Sequence, residues 1–233
     1  MLLADLEQIS AVAVRADPGE QAPGDHCHPE RAECLIVLEG DLALRIEDRT
    51  IEAAPGSCVF VPAEVPHWVA ADNGMPARFV EIHVPSRSSD AAVVHNRAGG
   101  GEAITDRPER RVRLLVDDEA ITTTASLYGP GEKGPDPHVH HHHVDGFVVV
   151  EGEITFGLED RSVRASAGTF VLVPPDVVHS FRNEGPQTAR YFNLHAPSFG
   201  FGEYLRGRNP SFDQHDQTDG GADPASVIVV PLP

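Results

Sequence analysis

The stretch "IVLEGDLALRIEDRTI", residues 36–51, returns as "VVVEGEITFGLEDRSV" at residues 148–163. The displacement is 112 residues, and at that displacement Ile9–Ser86 aligns without a gap onto Ile121–Ser198. "PGEQAP" (18–23) falls on "PGEKGP" (130–135), "PGSCVFVPAEVPHWV" (55–69) on "AGTFVLVPPDVVHSF" (167–181), and "ARFVEIHVPS" on "ARYFNLHAPS". Roughly one position in three is identical and most others keep their polarity, which is the mark of one structural unit written twice.

Each copy reads as short strands. In the first they fall near 9–15, 26–29, 33–39, 42–47, 58–62, 66–71 and 77–84, with Glu-Gly, Glu-Asp-Arg and Ala-Pro-Gly clusters turning the chain. Segments such as "CLIVL", "FVVV" and "TFVLV" are apolar at successive positions, which suits strands covered on both faces of a small barrel or sandwich. The spacing predicts domains at 1–86 and 112–198. Between them lies a Gly/Ser/Asp-rich connector at 87–111, and after them a tail at 199–233. In the tail, Phe199–Arg206 is expected to make one or two helical turns, "DQHDQTDGGADPAS" (213–226) to be polar and mobile, and "VIVVPLP" to add an edge strand.

Composition narrows the function. With 40% hydrophobic residues, 21 Gly and 20 Pro, the chain is that of a turn-rich folded protein. Against 36 carboxylates stand 18 Lys and Arg, a net charge of −18 that disfavours nucleic acid and anionic membranes as partners. The basic run "RPERRVR" (107–113) reads as a solvated linker. Cys27, Cys34 and Cys58 form no disulfide framework, and no signal-peptide or membrane-length apolar run occurs, so a cytoplasmic protein is expected. No nucleotide-binding, nucleophile-elbow or Cys-x-x-Cys motif appears.

The repeat identifies which histidines matter. His26 and His28 align with His138 and His140, His67 with His179, and Glu33 with Asp145. On an extended strand, alternate side chains share a face, so His-x-His delivers two imidazoles to one side. A carboxylate five residues on and a distant third His complete a set suited to a divalent transition metal with open positions. Fe, Mn, Ni, Cu and Zn all accept such donors, so the pattern leaves the metal open.

"HCHPERAECLIVLEG" with "GSCVFVPAEVPHWVA", and "HVHHHHVDGFVVVEG" with "GTFVLVPPDVVHSFRN", resemble the two signature motifs of the cupin superfamily. The resemblance covers both copies and implies an all-β protein of two tandem cupin (double-stranded β-helix, jelly-roll) barrels. Its metal ligands would be His26, His28, Glu33 and His67, and His138, His140, Asp145 and His179. It further implies a quercetinase-like dioxygenase acting on a small aromatic or enolic substrate, with Glu33 accepting the substrate's hydroxyl proton. A non-redox isomerase or decarboxylase, and a non-catalytic small-molecule-binding protein, are the alternatives. The paired barrels could pack as a pseudo-twofold monomer, with 112–116 crossing between them, or as a homodimer.

Departures from the motif carry expectations of their own. Glu64 and Asp176 stand where the family has Gly, and Ala71 stands opposite Asn183. Asp145 is one methylene shorter than Glu33, roughly 1.5 Å, so the second site is expected to shift its backbone, recruit His143 or bind through water, and to hold metal less well than the first. His141, His142 and His215 read as solvated, with an outer-face role open to His142. His83 and His195 read as hydrogen-bonded strand-end residues, with a place in or behind the pocket as the alternative. Cys27, Trp68, Phe147 and Phe181 read as packing residues, with Phe147 and Phe181 also able to wall a pocket.

Overall fold

The computed structural model describes residues 1–19, 24–46, 48–86, 94–97, 99–159 and 161–233. Residues 20–23 of the repeated "PGEQAP" turn, and 87–93 and 98 of the expected connector, lie outside them. The chain divides into two compact units, Met1–Gly101 and Glu102–Pro233. Both are built almost wholly of strands, and no helix among the described residues is long and apolar enough to cross a membrane.

The first unit contains β1 (Leu2–Asp5), β2 (Ser10–Ala16), β3 (Arg31–Glu39), β4 (Leu42–Ile46), β5 (Arg49–Ala53), β6 (Cys58–Val61), β7 (His67–Ala71), β8 (Ala77–Pro85) and β9 (Val94–Asn96). Six form one sheet, ordered β1-β2-β8-β3-β6-β9, and three form another, β5-β4-β7. Leu35, Val37, Val59, Val61 and Phe79 of the large sheet meet Leu42, Leu44, Ile46 and Ala53 of the small one in a single core. Cys34 and Ile36 point the other way and are also buried, as the unbroken apolar run of β3 requires.

The second unit repeats the plan with β10 (Glu102–Asp106), β11 (Arg110–Asp117), β12 (Thr122–Tyr128), β13 (His138–Val139), β14 (Val144–Glu151), β15 (Glu153–Leu158), β16 (Arg161–Ser166), β17 (Thr169–Val173), β18 (Ser180–Arg182), β19 (Ala189–Ala196), α1 (Phe201–Leu205), β20 (His215–Asp216) and β21 (Ile228–Pro231). Its sheets run β10-β11-β12-β19-β14-β17-β21 and β16-β15-β18. The core is more aromatic: Phe147 lies 4.8 Å from Phe156 and 5.0 Å from Phe181 between ring centroids, both edge-to-face. Such pairs each contribute roughly 0.5–1.5 kcal/mol beyond burial.

Several expectations need correcting. Val112–Val116 lies in β11 and pairs with β10 and β12 of its own unit. The stretch read as a connector supplies a strand to each unit, β9 against β6 and β10 against β11. The tail is not a free polar segment: Phe212 and Asp213 are buried, and β20 pairs with β13. Val227 onward behaves as expected, with β21 closing the sheet edge against β17. Cys27 is exposed rather than packed, and half-buried Trp68 lies beneath Arg45, 5.6 Å from its ring centroid.

The residues in the motif's Gly position explain that preference. Glu64 and Asp176 both have φ of 65°, the left-handed region that costs a side-chain-bearing residue roughly 1–2 kcal/mol. The turn is retained because its amides are needed: Glu64 N donates to His28 O at 2.9 Å, and Asp176 N to His140 O at 2.7 Å. These bonds draw each His-x-His segment alongside the loop that leads to the third histidine.

Candidate metal centres

In each unit the first and third histidines are locked to one another through the backbone. His26 and His67 exchange N–H···O bonds of 3.0 and 2.9 Å, and His138 and His179 do so at the same two distances. The carboxylate enters from the first residues of a central strand, β3 or β14, flanked on both sides by paired neighbours. Donor atoms of His26, His28, Glu33 and His67 all lie within 4.8 Å of one another, and those of His138, His140, Asp145 and His179 do likewise. The shorter Asp145 still lies within that distance of its three histidines.

Ring orientation shows what these sets can hold. His67 Nδ1 bonds Val65 O at 2.9 Å, His26 Nδ1 bonds Gly24 O at 3.2 Å, His138 Nδ1 bonds Asp136 O at 2.8 Å and His179 Nδ1 bonds Val177 O at 2.9 Å. His140 Nδ1 bonds the backbone oxygen of Asp213. A carbonyl accepts only from a protonated nitrogen, so each bond puts the proton on Nδ1 and turns the Nε2 lone pair inward. His28 Nε2, His67 Nε2, Glu33 Oε2 and His140 Nε2 are buried without a hydrogen-bond partner. His67 Nε2 approaches Glu33 Oε2 to 2.6 Å, yet the pair is misaligned for a hydrogen bond. Inward lone pairs, a carboxylate and orphaned buried donors are the chemistry of a divalent cation site, and both sets fit one.

Electrostatics separate the two sets. In the first, burial opposes ionisation of Glu33, but the facing His28 and His67 outweigh it and hold the carboxyl at about 2. Burial lowers the His67 pKa while Glu33 raises it, and the net shift is upward. His26 and His28 are half-exposed. In the second set all four groups are buried. Burial, reinforced by His179, pushes His138 down to about 3, and burial with neighbouring imidazoles puts His140 and His195 well below the ordinary histidine value.

A second shell of polar groups surrounds the second set. Asn193 Nδ2 donates to Asp145 Oδ1, fixing the carboxylate, and to Gly146 O at 3.1 Å. His195 Nε2 lies 3.2 Å from Asn193 Oδ1, and its Nδ1 lies 2.9 Å from His143 Nε2. His143 Nδ1 in turn bonds Asp213 Oδ2 at 2.9 Å. The acceptors Asp213 Oδ2 and Asn193 Oδ1 put protons on His143 Nδ1 and His195 Nε2, and the remaining nitrogens of the two rings face each other. The three imidazoles of His140, His143 and His195 still cluster, but His143 and His195 spend their nitrogens on each other and on the shell.

Asp213 is the residue that sequence reasoning missed. Its Oδ1 accepts from His141 N at 3.1 Å and from His215 Nε2 at 3.0 Å, and its Oδ2 accepts from His142 N at 2.8 Å. Burial opposes its charge, but His143 and the two amides hold its carboxyl far below the usual range. Asp213 has no counterpart in the first copy, so the repeat could not signal it. His141 pairs with Asp176 at 2.6 Å and stacks on His215, so neither is simply solvated. His142 stays exposed, as expected, and stacks on Phe199. His83 meets Glu81 at 2.5 Å, as a strand-end histidine should, whereas His195 is buried in the site.

The second set opens into a cavity of about 630 Å³, within the usual range for a small-molecule site. His138, His140 and Asp145 form part of its wall, and Phe181 and Tyr191 form another. Phe147 is fully buried behind that wall in the core.

A family model described as "Cupin domain" matches residues 12–83 and again 126–195. The chain belongs to the cupin family. This cupin is 27% identical over 224 aligned positions to quercetin 2,3-dioxygenase of Bacillus subtilis (strain 168), covering 70% of the chain and 66% of that relative. The match therefore spans slightly less than two-thirds of the relative's own length. Among solved structures, a Pseudomonas aeruginosa protein superposes with a TM-score of 0.69 at 20% identity, over 82% of this chain and 76% of that one. A variant of Bacillus subtilis oxalate decarboxylase superposes at 0.61 with 16% identity, over 82% and 69%. These two likenesses establish the fold.

The cupin's buried imidazoles give it a pH signature when metal-free. His138, His140 and His195 have folded-state pKa values below their unfolded value, so as pH falls below about 6.5 the unfolded chain binds protons that the folded one does not. Stability present at neutral pH is then lost progressively toward pH 3. Thermal melts of metal-free protein between pH 7.5 and 4.5 are expected to show a loss on the order of several kcal/mol; a flat profile would contradict the neutral-histidine picture.

Proposed function

We propose that this cupin is a metal-dependent oxidoreductase of the dioxygenase type, acting on a small aromatic or enolic substrate held in the second unit's cavity. The supporting observation is the shared tautomer lock: in both sets imidazole Nδ1–H groups are tied to backbone carbonyls, leaving Nε2 lone pairs converging with a carboxylate. The curated relative, named a quercetin 2,3-dioxygenase, points the same way.

The residues that would hold the ion are His26, His28, Glu33 and His67 in one unit, and His138, His140, Asp145 and His179 in the other. When bound, a divalent transition ion supplies Lewis acidity and, if redox-active, one-electron chemistry. The protein does the rest. Asp145, its Oδ1 held by Asn193 and its Oδ2 3.2 Å from His179 Nε2, would accept a substrate hydroxyl proton from the cavity it lines, and Glu33 has that role in the first unit. Phe181 and Tyr191 exclude water from the face of a planar ligand.

Metal content and oxygen uptake test this together. Protein prepared without an affinity column is expected to carry one ion per unit. The His26→Ala, His67→Ala pair should lose one, and the His138→Ala, His179→Ala pair the other together with oxygen consumption on a panel of planar enols. Product formation without oxygen uptake would favour an isomerase or decarboxylase. Undiminished metal in the fourfold variant would end both readings.

A further inference from the structure

The basic run at 107–113, expected to be a solvated linker, divides in the structure. Arg107 lies 3.7 Å from Glu132, Arg111 3.6 Å from Asp106 and Arg113 3.9 Å from Asp106, all as surface pairs. Arg110 differs. It opens β11 opposite Tyr128, and its guanidinium lies over the Tyr128 ring, 4.7 Å from the centroid. Nη1 donates to Lys133 O at 3.0 Å, while Nε is buried without a partner. Among the described residues no carboxylate pairs with it, although the chain carries twice as many acids as bases. Arg110 also lines the same cavity as His138, His140 and Asp145.

A buried guanidinium N–H left without an acceptor is costly unless something supplies one. Arg110 lines the cavity and commits only Nη1 to a protein acceptor, so a ligand there meets a guanidinium with donors to spare. Beside Arg110 the wall is aromatic: Tyr128 lies 5.3 Å from Tyr191 and 6.1 Å from Phe181 between ring centroids, and Phe181 lies 6.0 Å from Tyr191. Three rings favour a flat apolar body, and one planar fork favours a single carboxylate. In a chain of net charge −18, one guanidinium does not offset a dianion.

We infer that Arg110 is a specificity-determining residue and that the ligand of the second unit is a planar aromatic monocarboxylate, its carboxylate on Arg110 and its ring against Tyr128, Phe181 and Tyr191. This rests on the reading of the second unit as the substrate-binding one, and it is independent of the redox chemistry proposed there.

The test compares binding of 4-hydroxycinnamate with that of its uncharged amide, two probes of one shape, to the protein as purified. Wild type is expected to prefer the acid by about ten- to a hundredfold, the worth of one charge-assisted hydrogen-bonded contact. Arg110→Met, which keeps the aliphatic stem over Tyr128, should bring the two probes to equal affinity, and Arg110→Lys should keep part of the preference. The His138→Ala, His179→Ala pair should lose metal and still prefer the acid. If the preference survives Arg110→Met but vanishes in the histidine pair, the histidine set reads the carboxylate: the Arg110 inference falls and the metal-site reading stands. Equal affinities in wild type, or no binding of either probe, would also overturn it.

Discussion

Asp213→Ala is expected to destabilise the second unit by about 3–5 kcal/mol, because it leaves three buried or half-buried N–H groups, His143 Nδ1 among them, without their acceptor. His143 is fully buried, and its Nδ1 has no other acceptor in the network. The same change removes the acceptor of two consecutive backbone amides, those of His141 and His142, in the loop that follows His140. The backbone oxygen of residue 213 would still be present to hold His140, so the loss acts by loosening the segment that carries it. Asp213→Asn keeps the shape and an acceptor but not the charge, and should fall between Ala and wild type. Two measurements check this: the thermal midpoint of metal-free protein, and metal stoichiometry, which should drop in the second unit while the first keeps its ion. Wild-type values of both in Asp213→Ala would refute the bracing role of Asp213.

Gly152→Ala should be nearly as damaging, at about 2–4 kcal/mol. Gly152 turns β14 into β15 with φ of 70°, and a Cβ there would meet Thr188 O at 2.4 Å, an atom of backbone that cannot swing aside. Gly40 stands in the same situation, with φ of 66° and Pro76 O at 2.2 Å. Because the two turns belong to different units, the effects of Gly40→Ala and Gly152→Ala should add in chemical denaturation. Wild-type stability in either variant would show that the turn can rearrange.

Those glycines also show why so much of this fold was legible. The pairs "EG" at 39–40 and 151–152 end apolar runs, and the repeat turns each weak local signal into two matching ones. Strands β3, β6, β8, β14, β17 and β19 follow from runs of apolar residues, because a strand buried on both faces leaves no alternation to misread. The polar strands were harder. β5, "RTIEA", and β10, "EAITD", carry charges at their ends and pair at sheet edges, where composition resembles a turn. The grouping of the two histidine–carboxylate sets was legible for a similar reason: His-x-His, the strand-entry acid and the distant third His recur in register. What was not legible lies outside the repeat. Asp213 reaches the site across 70 residues from His143, and Arg110 enters from a strand whose neighbours in sequence are surface pairs. Neither has a partner copy to mark it, and each looks like an ordinary charged residue until β20 and β11 are placed. The consequence of the shorter Asp145 for metal affinity is a matter for measurement: its Oδ2 lies 3.2 Å from His179 Nε2, where Glu33 Oε2 lies 2.6 Å from His67 Nε2.

The brace on His143 also sets an order of events during synthesis. Everything in the first histidine–carboxylate set lies between His26 and His67, so that set can form soon after its own strands leave the ribosome. The second must wait for Asp213, which at about 5–20 residues per second arrives roughly 4–14 s after His143. For that interval the nascent chain carries a folding unit in which His143 and the two amides after His140 lack the carboxylate that braces them.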